Sequence, residues 1–264
     1  MNIFLYLDKD TWIHRLDPRT KLIGTLILFS VCLCFNHPLY MAGISLGVMV
    51  LALSAKTLLN FWRLRIILIL LFIFSVVLWP TFVKGPTLLW SFGPFQVSKE
   101  SLLYGIAMGL RLANFVSIGL ILLSTTRNEE LTNGLIRLGC PYPIAFAFST
   151  ALRLVPTFAG AGMTIVQAQM SRGLDLKSKN IFSRVAQFIP QAVPLFIYAI
   201  RNTNLLAMAL ESKGFHPDSK RTLYYEPHMR KIDYGVMAIL GFIFLIMLIL
   251  RVVFKLGAIL PWRL

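Results

Sequence analysis

Long apolar runs separated by brief polar breaks fill the first half of the chain. Residues 22–35 (LIGTLILFSVCLCF) follow a polar lead from Leu16 to Lys21, and Asn36-His37-Pro38 makes a tight turn. A second run, 39–55, ends at Lys56. Arg63 and Arg65 flank a third, 66–83, which Pro80 and Lys84 stop. The Gly/Pro-rich stretch 84–100 (KGPTLLWSFGPFQVSKE) reads as an external loop. A fourth run covers 101–124, and a last one covers 234–250 (YGVMAILGFIFLIMLIL). A bilayer core about 30 Å thick takes about 20 apolar residues in a helix, so the pattern predicts about five transmembrane helices.

Residues 126–232 are too long for a connector and too apolar for an ordinary soluble domain, and three helices can be read in them. A short one, 128–139, opens with Asn128-Glu129-Glu130, whose acids suit a helix N-terminus, and stops at Gly139 and Pro141. A second, 143–172, carries a stripe of Ser149, Arg153, Thr157, Gly160, Thr164, Gln167 and Ser171 at steps of three and four. Pro143 fits its first turn, Pro156 predicts a bend, and Gly160 with Gly162 would permit a close helix contact. A third, 181–213, carries Arg184, Gln187, Gln191, Tyr198, Arg201 and Asn202, with Pro190 and Pro194 predicting a bend. Such a pair could span the bilayer as a hairpin or lie obliquely along its inner surface. The arginines favour the second arrangement: a charged side chain at mid-bilayer costs roughly 2.5–3.5 kcal/mol on insertion scales, and an interfacial helix avoids that cost.

Composition supports the membrane reading. Hydrophobic residues make up 57% of the 264 and charged residues 14%, too few charges to cover a soluble surface. This excludes a cytosolic enzyme, a disordered chain and a secreted one. The net charge of +15 would suggest nucleic acid in a soluble protein, but no aromatic-basic stripe accompanies it. Cationic loops on the cytoplasmic side account for it instead. With a cytoplasmic N-terminus, 20 of the 26 Lys/Arg fall in inside segments and five outside, whereas the inverted topology reverses the bias. Cys32, Cys34 and Cys140 form no metal-binding or disulfide pattern and read as free thiols. The opening MNIFLYLDKD lacks the basic n-region of a cleaved signal peptide.

Both long helices end alike, one in Ser171-Arg172-Gly173-Leu174 and the other in Ser212-Lys213-Gly214-Phe215. Local physics accounts for each as a C-terminus: glycine takes the left-handed residue after the helix, and a cation suits the dipole. The repetition admits a second reading, in which two plugs each place one cation in an acidic socket on a partner with two similar halves.

The segment Leu16-Asp17-Pro18-Arg19-Thr20-Lys21-Leu22 resembles the DPRTKL motif of the transmembrane T component of energy-coupling factor (ECF) transporters, and the two tips resemble that family's paired Ala-Arg-Gly-type coupling motifs. The order of elements is similar over nearly the whole chain. The resemblance implies an all-α polytopic membrane protein. It would have a four-helix membrane region (1–125), a cytoplasmic or interfacial coupling domain of three helices (126–232), and a last transmembrane helix with the C-terminus outside (233–264). It implies no catalytic residue, metal site or cofactor in this chain. Two ABC-type ATPases would carry ATP and magnesium, and a membrane S component would bind a vitamin or a metal ion such as cobalt or nickel, in the plasma membrane of a prokaryote. Ser171, Arg172 and Gly173 would serve one ATPase and Ser212, Lys213 and Gly214 the other. Phe146, Leu152, Phe158, Leu195 and Phe196 would touch the S component. The sequence departs from the family in having Ser at both tips where Ala is usual, and Lys213 in place of Arg.

Arg111 lies inside the fourth run, with no acid in any apolar run to pair with it; an intramembrane charge can mark a functional site, but bonding to carbonyls or to the buried top of the coupling domain is the simpler expectation. Asp17 reads as an N-cap, Pro18 as the first helical residue and Lys21 as an interfacial lysine. His14, His37, His216 and His228 read as solvated, and Asp218 to Lys231 as a charged cytoplasmic segment. Three other functions compete. An ordinary ABC permease would need an EAA-type loop, and a polytopic membrane enzyme would need convergent chemistry near Glu129-Glu130. An autonomous transporter would need midplane acids. The sequence shows none of these, and it shows no P-loop.

Overall fold

The computed structural model describes residues 6–83, 87–92, 95–174, 181–216 and 229–253. Their helices are α1 (Pro18–Cys34), α2 (Pro38–Ser54), α3 (Leu58–Phe82), α4 (Lys99–Thr125), α5 (Asn128–Arg137), α6 (Tyr142–Ser171), α7 (Ile181–Ser212) and α8 (Lys231–Val252). Each predicted helix is present, with ends that local chemistry explains. The Asp17 carboxylate accepts from the Arg19 N–H ahead of Pro18, and His37 caps α2 ahead of Pro38. Gly139, at φ +101°, follows α5. The predicted external loop contains a small antiparallel hairpin, β1 (Leu88–Phe92) with β2 (Phe95–Ser98), which leads into the Ser98 cap of α4. Residues 84–86, His228, most of the charged segment 218–231 and the side chains of Arg184 and Gln187 lie outside the described residues.

Among the described residues, five helices are long and apolar enough to cross a membrane: α3, α4, α6, α7 from Phe188, and α8. The chain is a multi-pass membrane protein. The membership of the five differs from the sequence expectation. At 17 residues each, α1 and α2 reach about 25 Å, short of the bilayer core, whereas α6 and α7 qualify by length and composition.

The chain divides into two compact units, Met1–Leu138 with Pro227–Leu264, and Gly139–Glu226. In the first, α3 and α4 lie close because α4 offers glycines: a Cβ on Gly109 would come within 2.8 Å of the Phe72 ring. The buried Ser75 hydroxyl donates to the Gly105 carbonyl at 3.2 Å. Cys32, Val48 and Ile118 form a buried core among α1, α2 and α4, where Phe29 and Phe115 meet edge to face. Arg111 donates to the Cys32 and Phe35 carbonyls at the end of α1 and to the Asn36 side chain. It thus satisfies helix-terminal acceptors that α1 leaves open, as its lack of an acidic partner implied.

A buried polar cluster sits at the opposite end of α1. Lys21 was expected at the membrane interface, but its side chain is only 3% exposed. Its ammonium donates to the carbonyls of His14 and Thr125, each at 2.9 Å, and lies 3.6 Å from Glu130. One Lys21 therefore joins the N-terminal segment and α1 to the end of α4 and to α5. Asp233, 1% exposed, links α1 to α8: one carboxylate oxygen accepts from the Asp17 N–H at 2.8 Å and the other from the Arg230 N–H at 2.7 Å. Gly134 lets α5 approach α1, where a Cβ would meet Pro18 at 3.0 Å. His14 also departs from its expected solvation. It is half-buried, accepting at Nδ1 from the Thr11 hydroxyl at 2.6 Å and donating from Nε2 to the Leu7 carbonyl at 3.1 Å.

Replacing Lys21 by Met strands two carbonyls and leaves Glu130 without its counter-ion. It should lower stability on the order of 3 kcal/mol, read as a lower thermal midpoint in detergent. Arg15→Ala breaks only an exposed pair with Asp10 and should leave the midpoint unchanged; a Lys21→Met midpoint equal to wild type contradicts the assignment. Burial holds the His14 pKa below its ordinary value of 6.5, so the fold favours the neutral ring. That contribution is complete above about pH 6.5 and shrinks as pH falls through that value towards the lower folded pKa. Between about pH 7.5 and about pH 5.5 the wild-type midpoint should fall further than that of His14→Gln.

Candidate functional site

In the second unit, α6 and α7 form an antiparallel pair touching along its length. Phe146 lies 4.9 Å from Phe215 between ring centroids at one end, and Phe158 meets Tyr198 edge to face at 6.1 Å in the middle. At the other end the Gln169 amide donates to the Pro190 carbonyl at 3.2 Å. The facing residues are half-buried at helical spacing: Ser149, Leu152, Pro156 and Ala159 on α6, with Ala192, Leu195, Ala199 and Asn202 on α7. The predicted polar stripe of α6 is exposed from Arg153 through Thr157 and Thr164 to Ser171, while Ser149 at its start faces inward. A separate apolar stripe of Phe148, Val155, Met163 and Met170 is also exposed. On α7 the exposed apolar positions include Ile189, Val193, Phe196 and Ile200.

Both tips close with the same backbone motif. The Gly173 N–H donates to the Met170 carbonyl at 3.0 Å and the Leu174 N–H to the Gln169 carbonyl at 3.1 Å. At the second tip, Gly214 donates to Glu211 at 2.9 Å and Phe215 to Leu210 at 3.0 Å. These are paired Schellman turns, with glycine at φ +91° and +73°. A Cβ on either glycine would meet nothing within 4 Å, so backbone conformation alone selects the residue. The Ser171 hydroxyl donates back to the Gln167 carbonyl and that of Ser212 to Ala209, so neither serine is aimed outward. Arg172 and Lys213 are exposed, and neither forms an ion pair with a described residue.

Because the helices are antiparallel, the tips stand at opposite ends of the pair. From Phe146 to Gln169, at about 1.5 Å per residue, the separation is roughly 35 Å. Electrostatically, each turn places an exposed cation, Arg172 or Lys213, beside the negative end of a helix dipole, and an acidic partner group would meet it there.

The five apolar candidates separate. Phe146, Leu152, Phe158 and Leu195 are half-buried on the side where the two helices meet, and Phe196 is 70% exposed. The close contact expected at Gly160 and Gly162 is absent among the described residues: a Cβ on either would find open space, with nothing within 4 Å. Sequence reading missed Gln169 as a cross-helix donor and Phe215 as the anchor of the second tip. The signal for the latter was Leu210 with Phe215, the apolar pair that usually accompanies this turn. Among the described residues no group of three or more His, Cys, Asp or Glu could hold a metal ion.

Residues 9–224 match the cobalt transport protein family, CbiQ. Curated relatives carry the name energy-coupling factor transporter transmembrane protein EcfT. That of Acidaminococcus fermentans is 31% identical over 261 residues, covering 96% of this chain and 96% of the relative. That of Bacillus subtilis is 34% identical over 237 residues (85% and 88%), and that of Streptococcus thermophilus 32% over 228 (83% and 86%).

Alanine at Gly173 or Gly214 must take a left-handed conformation at a cost of about 1 kcal/mol, so amide exchange at that tip should accelerate by about fivefold. Gly160→Ala, at an open helical position, should leave both tips unchanged. Equal exchange at Gly173→Ala and wild-type tips contradicts the backbone assignment.

Proposed function

The chain belongs to the CbiQ cobalt transport protein family and is the transmembrane component of an ECF transporter, and on that premise we propose that its two tips are the contacts through which ATPases drive it. The observation that carries this reading is the duplication: two turns of the same form, roughly 35 Å apart, each presenting one exposed cation that has no ion pair with a described residue. A pair of similar proteins fits such a surface better than one irregular partner. Arg172 enters a groove on one ABC-type ATPase and Lys213 a groove on the other. ATP and magnesium reside in those subunits, and this chain catalyses nothing.

The faces of α6 and α7 support the rest of the proposal. A helix with an exposed polar stripe and a separate exposed apolar stripe suits an interface between water and an apolar phase. The polar side faces the cytoplasm, where the N-terminus also lies, and the C-terminus is outside, in keeping with the distribution of Lys and Arg. The exposed apolar side, with Phe196 on it, receives the S component of a prokaryotic plasma-membrane importer. Nucleotide-driven closure of the ATPases shifts α6 against α7, and the S component turns with them. Its cargo is a vitamin or a transition-metal ion. The rival arrangement, in which α6 and α7 span the bilayer, is favoured only by their length and apolarity, and it would bury Arg153 and Arg201 in hydrocarbon.

Arg172→Ala and Lys213→Ala should each weaken ATPase capture, because losing one partner of a buried interfacial charge pair costs about 2–5 kcal/mol. Together they should abolish ATPase co-purification and coupled uptake while the chain still inserts. Wild-type uptake by the well-expressed double variant overturns the proposal. Lys213→Arg should tighten capture at the second tip, since a guanidinium grips a carboxylate with two parallel bonds and an ammonium cannot.

A further inference from the structure

Pro190 and Pro194 stand four residues apart inside α7. In an α-helix the carbonyl of residue 190 accepts from the N–H of residue 194, but proline has none, so that acceptor is left open. An open backbone acceptor takes another donor where one is in reach. Here the donor is the Gln169 side-chain amide of α6, at 3.2 Å. Gln169 is also the residue whose own carbonyl closes the Arg172 turn by accepting the Leu174 N–H at 3.1 Å. Its main chain therefore holds the tip shut while its side chain holds the Pro190 carbonyl of the neighbouring helix. The second tip is held by a different contact. Leu210 occupies the position equivalent to Gln169 there, and apolar contact of Phe215 with Phe146 takes its place.

We propose that Gln169 is a positioning residue that latches the Arg172 tip to the proline pair of α7, so that displacement of this tip moves both helices together. The proposal rests on the reading of Arg172 as an ATPase contact. Pro194 opens the carbonyl and Gln169 fills it, so both residues serve one interaction and removing either breaks the same link.

The test is a double-variant cycle in the assembled transporter reconstituted in liposomes, comparing Gln169→Leu, Gln169→Glu, Pro194→Ala and Gln169→Leu with Pro194→Ala. Two quantities are read: amide exchange over residues 167–174, and uptake per ATP hydrolysed. Gln169→Leu and the nearly isosteric Gln169→Glu, neither of which can donate at neutral pH, should each speed exchange and lower uptake per ATP by about three- to tenfold, the scale of one hydrogen bond. Pro194→Ala should act similarly, because its N–H reclaims the Pro190 carbonyl, and the double variant should be no worse than either single one. Fold-changes that multiply in the double variant overturn the proposal, as does wild-type exchange in Gln169→Leu and Gln169→Glu. Faster exchange with unchanged uptake per ATP overturns the transmission while leaving the tip reading in place. Failure of that reading shows separately, as full coupling in Arg172→Ala.

Discussion

Two antiparallel helices cannot end in the same place. This constraint governs everything the second unit can do. Duplicated turns placed after each of two such helices are carried to opposite ends of the pair, roughly 35 Å apart, however similar their sequences. One small socket cannot receive both. In the function proposed here, the arrangement is met by two receptors at a fixed spacing, and a change in that spacing is passed along the helix axis. The ring contacts and the Gln169 bond occur at successive points along the pair, so the spacing belongs to the pair as a whole.

The membrane unit is built on a different principle. Its inward charges Lys21, Asp233 and Arg111 serve places where helices begin and end, since those are the places with unpaired backbone groups. Lys21 closes the end of α4, Asp233 starts α8 while holding the start of α1, and Arg111 closes the end of α1. Each charge sits on one helix and serves the terminus of another. Between these ends apolar contacts are joined by the bond from Ser75 to the Gly105 carbonyl, and the outward faces of α3 and α8 expose Ile66, Ile73, Phe74, Ile239 and Phe242 as a bilayer requires. The motif from Asp17 to Leu22 thus has a structural role: Asp17 and Pro18 start the helix, Lys21 ties it to three other segments, and Pro18 and Leu22 accept Gly134 of α5.

The sequence makes helix boundaries legible wherever a local residue enforces them. Asp17-Pro18, His37-Pro38, Gly139, Gly173 and Gly214 act through their own backbone or their nearest neighbours, so pattern alone finds them. What it hides is long-range pairing. Lys21 looks interfacial because its acceptor on Thr125 and its counter-ion on Glu130 lie more than a hundred residues away. Asp233 finds Asp17 across an even longer interval. Gly160 and Gly162 mislead in the opposite sense, since small residues permit a close approach without requiring one. Pro190 and Pro194 are legible in the sequence, but their consequence for Gln169 depends on the register of two helices, which no local pattern encodes.

The most direct test of the central claim places a photo-crosslinking amino acid at position 172, at position 213, or at both, in the assembled transporter. If the two ends grip separate motors, each single replacement joins this chain to one ATPase, and the paired replacement gives a product holding one copy of this chain and two ATPases. Crosslinks from both positions to the same ATPase chain, or to lipid and the S component alone, would contradict the account.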